Sequence, residues 1–370
     1  MSGAERALLQ LLRLRPGPLP SASEAEWNAI LALARREQVA PLAWAAVRDA
    51  CGGAVGAGLP GEVRRGLASA AREAAAAAAR AYAQLADVLA RLRAAGVRAA
   101  LLKGAALARF VYRDEALRPL TDLDLLVSAR DLAAAVRVLQ AAGYTAAPPP
   151  GDPRARCEQT CYDPSWRRLP VDLHWTYAGE PYPLGVDCDG VLARAEEIAV
   201  CGERALLPSP ADLVVALGAH VLHDVWTSTP RVRYLRDAAE VARHPVDWRR
   251  VLQTAEEAPE ARPALWLTLS AATDLLGAPV PPAVIAALAP RRRGAGRWVL
   301  ARFCATVLRR ASPAESLALV AVLRWAGGAD GGYARLAGAR IRAQARRVRN
   351  HLRWRLAQAR GGDPRPWRVY

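Results

Sequence analysis

The chain has 370 residues, of which 52% are hydrophobic and 23% are charged. Such a composition excludes an intrinsically disordered protein, and the length predicts two or three domains. No apolar run reaches the roughly 18 uncharged residues of a membrane-spanning helix, and the N-terminus lacks the pattern of a signal peptide. The six cysteines are too widely spaced for a disulfide framework, so we expect reduced thiols in a cytoplasmic protein.

The formal net charge is +16, and most of it lies at the C-terminal end. Residues 331–370 contain 11 arginines and one acid, Asp363. Small or apolar residues recur in this segment at three- or four-residue steps, which predicts one amphipathic, arginine-rich helix. Two interpretations are open. The helix packs on its own domain with its charges in solvent, or it binds an anionic partner such as RNA, an acidic protein or a membrane surface.

The N-terminal quarter of the chain is predicted to be helical. Apolar residues recur there at helical spacing, and Ser23 is positioned as an N-cap. The alanine-rich run from Glu62 to Ala95 predicts one long helix, because alanine has the highest helix propensity. Gly96 is placed to end that helix. Residues 1–95 are therefore predicted to form an N-terminal helical region.

Short strands and helices alternate in the segment that follows. The runs VRAALLKG, DLDLLV, CEQTCYD and LPVDLHW are predicted strands. AALARFVYRD is a predicted helix, as is a segment capped by Ser128 and ended by Gly143. From Pro208 onward the apolar spacing is helical again. The sequence therefore predicts an α+β protein with a small mixed-sheet core at residues 96–205. A C-terminal helical domain at residues 206–370 follows and ends in the arginine-rich helix.

Acidic residues share one face of two predicted strands. In DLDLLV, Asp122 and Asp124 are two positions apart and project from the same face. In LPVDLHW the same holds for Asp172 and His174. Neighbouring carboxylates repel each other unless a cation lies between them, which points to a divalent metal. If the two strands are adjacent, the three aspartates suit two Mg²⁺ ions about 3.5–4 Å apart, an arrangement that serves phosphoryl transfer. The alternatives are solvated acids at a strand edge, or an arginine pair for Asp172.

A phosphate-binding turn is predicted before these strands. The run VRAALLKG ends in Gly104 and leads directly into a helix, so backbone N–H groups can approach an anion there. Lys103 is the only lysine among the 51 basic residues, and its slim ammonium is a candidate for contact with a nucleotide phosphate. Arg118 is a second candidate, because its planar fork matches phosphate. The alternatives are a solvated charge at Lys103 and a structural ion pair at Arg118.

This order of motifs looks like the nucleotidyltransferase fold of the DNA polymerase beta superfamily. More narrowly, LLKGAALARFVY followed by RPLTDLDLLV resembles the bacterial family of uncharacterised nucleotidyltransferases. The motif match extends from Val97 to Trp175, with a weaker similarity in the helices that follow. The chain departs from the superfamily pattern at Ala105, where Gly or Ser is common.

The resemblance implies a helix near the active cleft, which makes His220, His223 and Asp237 candidate substrate contacts. His220 and His223 lie on one helix face, but no third ligand at zinc-site spacing accompanies them. The alternatives are hydrogen-bonded histidines at an interdomain surface and an ordinary helix salt bridge between Arg236 and Asp237.

Together the motifs and the resemblance predict a magnesium-dependent nucleotidyltransferase. Lys103, Gly104 and Arg118 would hold an NTP, and the three aspartates would hold two Mg²⁺ ions. A nucleoside monophosphate would pass to a hydroxyl acceptor with release of pyrophosphate; a small molecule, peptide or protein is favoured over RNA as that acceptor. The alternative is a non-catalytic helical binding protein that keeps a relict transferase core and binds an anionic partner through its arginine-rich tail.

Overall fold

A computed structural model of the chain describes residues 1–15, 17–51, 58–147, 156–179, 183–227, 229–309 and 311–328. The arginine-rich segment for which the sequence predicts a terminal helix lies outside these residues. Within the described ranges, no helix combines the length and the apolar character needed to cross a bilayer.

Helices precede the sheet in the described part of the chain. They are α1 (Gly3–Leu12), α2 (Glu24–Arg36), α3 (Ala40–Ala50) and α4 (Gly61–Ala94). Ser23 caps α2, and its hydroxyl and the Glu26 side chain form a reciprocal capping box. Gly96 follows α4 with a φ of +74°, a conformation that favours glycine. The predicted cap and stop are both confirmed.

In the described part of the chain, seven strands form one mixed sheet in the order β3-β4-β5-β2-β1-β7-β6. They are β1 (Ala99–Leu101), β2 (Leu123–Val127), β3 (Thr145–Ala146), β4 (Glu158–Tyr162), β5 (Val171–His174), β6 (Glu196–Val200) and β7 (Glu203–Leu207). β2 runs antiparallel to β1 and parallel to β5. This order places β1, β2 and β5, which carry the predicted chemistry, side by side in the middle of the sheet.

The sequence predicts β1, β2, β4 and β5 but not the other three strands. β6 and β7 form an edge hairpin turned by Cys201 and Gly202, both with positive φ. Most of β6 is exposed, so it lacks the apolar run by which a strand is recognised. β3 has only two residues.

Three helical segments connect these strands: α5 (Lys103–Ala106), which continues as a π-helical turn at Leu107–Val111, α6 (Leu132–Ala141) and α7 (Cys188–Arg194). The predicted cap of α6 is wrong. Asp131 occupies the N-cap position, and Ser128 lies one turn earlier, where its carbonyl accepts a hydrogen bond from the Asp131 N–H at 2.9 Å. The predicted stop at Gly143, with a φ of +86°, is confirmed.

Helices again follow the sheet. They are α8 (Pro210–Thr227), α9 (Val232–Val241), α10 (Trp248–Glu257), α11 (Arg262–Leu276), α12 (Pro282–Leu288), α13 (Arg293–Thr306) and α14 (Pro313–Gly327). One apolar core runs from the N-terminal helices through the sheet into this region. α8 contacts α5, and α9 contacts the π-helical turn, so both helices border the edge where β1 ends. The predicted α+β fold, a small mixed sheet flanked by helices, is confirmed.

Candidate active site

Three carboxylates come together at the paired strands β2 and β5. In the parallel pairing of β2 with β5, the Cα of Asp124 is opposite that of Asp172, and such partners project to the same side. Asp122 directly precedes β2, and the charge of Asp124 acts on its pKa, so the two carboxylates are close together. Asp124 is only 2% exposed, whereas the other two are half-buried. The structure thus brings the three predicted aspartates together.

Lys103 reaches into this group of carboxylates. Its ammonium donates a hydrogen bond to Asp124 Oδ1 at 2.7 Å, and its side chain is 16% exposed. Burial disfavours both charges, but the attraction between them is the larger effect. The ion pair therefore holds the pKa of Lys103 well above its ordinary value and the pKa of Asp124 below its ordinary value. The backbone of Lys103 has a φ of +42°, a left-handed conformation that only a few per cent of non-glycine residues adopt.

Two further residues complete the cluster. His174 Nε2 lies 2.9 Å from Asp124 Oδ1, 3.3 Å from Lys103 Nζ and 3.3 Å from Glu158 Oε2. The antiparallel register of β4 and β5 pairs Glu158 with His174. The sequence places His174 on the face of Asp172 but assigns no role to Glu158. Strand alternation alone does not reveal which strand lies beside β5.

The cluster carries more negative than positive charge. Burial, together with Asp124, raises the pKa of Asp122, and burial, together with Glu158 and Asp124, raises that of Asp172 well above its ordinary range. Asp172 Oδ1 is buried without a hydrogen bond. Among the described side chains, no group of three His, Cys, Asp or Glu is gathered closely enough to enclose a metal ion as it stands. The donor set nevertheless fits Mg²⁺, because it consists of hard carboxylate oxygens with unbalanced charge and an orphaned acceptor.

Gly104 and Arg118 are neighbours beside the cluster. A Cβ added at Gly104 would lie 2.7 Å from Leu120 Cδ2 and 3.6 Å from a terminal nitrogen of Arg118. Arg118 is 3% exposed, and its Nε donates to the two carboxylate oxygens of Asp237 at 3.0 and 2.9 Å. The Arg118 guanidinium is therefore held in a buried ion pair next to the predicted phosphate turn.

Asp237, predicted as a substrate contact, is completely buried. Besides Arg118, it accepts a hydrogen bond from the Tyr112 hydroxyl at 2.9 Å. The helix salt bridge considered for Asp237 and Arg236 is replaced by a pair between Arg236 and Glu240. Asp237 therefore connects α9 to the loop that precedes β2.

The histidines of α8 differ in their surroundings. His220 is largely buried and packs edge-on against Tyr234, with ring centroids 4.1 Å apart, and its Nε2 has no hydrogen-bond partner. Burial lowers the pKa of His220 well below its ordinary value, and the charge of Lys103 adds to this. His223 is exposed, 6.3 Å from the ring of His220. Asp224 lies beside them, and burial raises its pKa to about 7.

Comparisons with known proteins give a family match and a distant structural similarity. The family model described as uncharacterised nucleotidyltransferase matches residues 23–277. Among solved structures, part of the chain is similar to the solution structure of the antibiotic-resistance factor ANT(2'')-Ia. That match has 11% sequence identity and a TM-score of 0.34, and it covers 50% of this chain and 89% of the other, which is too distant to support residue roles. No curated protein matches the sequence.

Proposed function

The chain belongs to the uncharacterised nucleotidyltransferase family, and we propose that it transfers a nucleoside monophosphate from an NTP to a hydroxyl group and releases pyrophosphate. The observation that carries this proposal is that Asp122, Asp124 and Asp172 come together directly beside the turn at Lys103 and Gly104. Metal-assisted phosphoryl transfer requires carboxylates that bind the metal ions and a nearby turn that binds the phosphates.

We propose that the three aspartates hold two Mg²⁺ ions. When bound, these ions neutralise phosphate charge and lower the pKa of the attacking hydroxyl. Asp124 is anchored by His174 at 2.9 Å, which fixes the direction of its carboxylate. Asp122 and Asp172 are half-buried, so both can be reached from the cleft.

Lys103 and Gly104 hold the triphosphate in this proposal. The Lys103 ammonium lies on a flexible stem and can share its charge between Asp124 and a phosphate oxygen. Gly104 offers its backbone N–H at the start of α5, and Arg118 supports this turn from behind through its pair with Asp237.

The transfer itself is an in-line displacement at the α-phosphorus. The acceptor hydroxyl lies against Asp172, which orients the oxygen and takes its proton as the new O–P bond forms. The bond from the α-phosphorus to the bridging oxygen breaks, and its electron pair leaves with pyrophosphate. His220, and at the mouth of the cleft His223, contact the acceptor.

The residues of the site do not specify which molecule accepts the nucleoside monophosphate. Incubating the protein with Mg²⁺, extracts of the source organism and labelled ATP, CTP, GTP or UTP, followed by mass spectrometry, tests the proposal. We expect one product that is heavier by a single nucleoside monophosphate, together with pyrophosphate. The combined variant Asp122→Asn with Asp124→Asn is the control. The proposal fails if the wild type yields no such product, or if the control yields the same product.

A further inference from the structure

Arg233 on α9 is a buried cation whose hydrogen-bond partners, among the described residues, are all neutral. The residue is 4% exposed, and its terminal nitrogens donate to Gln38 Oε1 and, at 2.6 Å, to the Tyr234 hydroxyl. Its guanidinium carbon lies 4.7 Å from the centroid of the Tyr234 ring, and its Nε is buried without a hydrogen-bond partner. In the described part of the chain, no carboxylate forms an ion pair with it.

Other buried arginines nearby are neutralised. Arg118 pairs with Asp237, and Arg236, one turn along α9 from Arg233, pairs with Glu240. Removing a guanidinium from water without a counter-charge is strongly unfavourable, so buried arginines normally have an acidic partner. An arginine that is positioned by two neutral groups and lacks such a partner is suited to an anion that the chain itself does not supply.

Arg233 lies at the carboxylate cluster. Its charge is near enough to lower the pKa of Asp122, and it acts in the same way on Asp224. The Tyr234 ring, which the guanidinium of Arg233 covers, has two more neighbours. Its centroid is 5.7 Å from the guanidinium carbon of Arg118 and 4.1 Å from the centroid of the His220 ring. The guanidinium therefore shares the Tyr234 ring with Arg118, which borders the proposed phosphate turn, and with His220 of α8.

Gln38 brings the N-terminal helices into this site. It lies between α2 and α3 with a φ of +58°, a backbone conformation that persists only where the surroundings enforce it. The neighbouring carboxylate of Glu37 pairs with Arg36 at 3.0 Å and not with Arg233. The turn between α2 and α3 thus presents the neutral amide of Gln38 to the guanidinium.

We infer that Arg233, positioned by Gln38 and Tyr234, binds the polyphosphate of the NTP and stabilises the departing pyrophosphate. This inference rests on the proposed function. As the bond to the α-phosphorus breaks, the electron pair and its negative charge collect on the pyrophosphate oxygens, where a fixed guanidinium is most effective. The planar fork of arginine matches such oxygens, and the Nε–H has no competing acceptor in the described residues. The N-terminal helical region thereby becomes part of the nucleotide site.

Two variants test this inference. Arg233→Gln removes the charge, and Gln38→Glu keeps the shape of the contact but supplies an internal carboxylate that occupies the guanidinium. Calorimetric titrations with the four NTPs, with pyrophosphate and with AMP, all with Mg²⁺, measure the effect. We expect both variants to bind NTP and pyrophosphate about tenfold to a hundredfold more weakly, the range for a charge-assisted hydrogen bond to a phosphate. AMP affinity should stay the same.

Arg243→Gln is the matched control, because it removes one positive charge just beyond α9 from a side chain that is 55% exposed. We expect it to leave all affinities unchanged. Gln38→Glu should also raise the unfolding midpoint by pairing the buried guanidinium, so it tests the inference even if Arg233→Gln does not fold. If Gln38→Glu raises the unfolding midpoint but leaves the NTP and pyrophosphate affinities unchanged, the inference about Arg233 is overturned and the proposed function is not. If the wild type binds none of the four NTPs, the proposed function fails as well.

Discussion

The buried ion pair of Arg118 and Asp237 gives the sharpest stability prediction. The two side chains are 4% and 0% exposed, and the pair joins α9 to the loop before β2. Asp237→Asn keeps the volume of the side chain but removes its charge and turns an amide NH₂ group toward the donors Arg118 and Tyr112. Arg118 cannot lose its proton, so a guanidinium is left buried without a counter-charge.

We expect this substitution to lower the free energy of unfolding by about 3–5 kcal/mol, the range for removing one partner of a buried pair. The unfolding midpoint of a 370-residue chain should then fall by roughly 4–6 °C. Urea unfolding of the wild type and the variant, followed by circular dichroism, measures the free energy, and calorimetry measures the midpoint.

Asp87→Asn is the matched control. Asp87 accepts hydrogen bonds from Arg91 Nε with both oxygens at 2.9 Å, as Asp237 does from Arg118, but its side chain is 50% exposed. Because water solvates both charges of this surface pair, we expect little change in stability. If Asp237→Asn is as mild as Asp87→Asn, burial is not what makes the Arg118 pair important and the reasoning is refuted.

Three further predictions concern the cleft. Lys103→Arg should lower turnover on the order of a hundredfold without unfolding the protein. The wider guanidinium cannot keep the 2.7 Å contact with Asp124 and also reach a phosphate. An unchanged rate would show that Lys103 has no specific role in the reaction. Gly104→Ala should cost about 1–3 kcal/mol in urea unfolding, because its Cβ would lie 2.7 Å from Leu120 Cδ2, and Leu120→Ala should relieve that loss. The raised pKa of Asp224, about 7, means that the folded protein holds a proton there that the unfolded chain has released. Wild-type stability should therefore fall by about 2 kcal/mol relative to Asp224→Asn as pH rises from 5 to 7, and parallel pH profiles would contradict this.

The carboxylates could be predicted from the sequence because they follow from local geometry. Asp122 and Asp124 are close in any arrangement of the sheet because they are two residues apart at the start of β2, and Asp172 needs only the adjacency of β2 and β5 to join them. Gly96 likewise marks the end of a helix through its own backbone freedom. Each of these inferences needs only neighbours along the chain or one strand pairing.

The remaining features depend on contacts between distant parts of the chain. Arg118 and Asp237 are 119 residues apart, and Gln38 and Arg233 are 195 residues apart. No periodicity relates such positions, since the packing of α8 and α9 against the sheet decides which groups meet. Glu158 was missed for the same reason: its place beside His174 depends on the order of strands, which local pattern does not encode.

Calorimetric titration of the four NTPs into the wild type, with and without Mg²⁺, tests the central claim most directly. The combined variant Asp122→Asn with Asp124→Asn is titrated alongside, and its unfolding midpoint shows that it is folded. We expect at least one NTP to bind the wild type only when Mg²⁺ is present, and the variant to lose that binding. Absence of NTP binding by the wild type, or equal binding by the folded variant, would contradict the assignment of these aspartates to a nucleotidyl-transfer site.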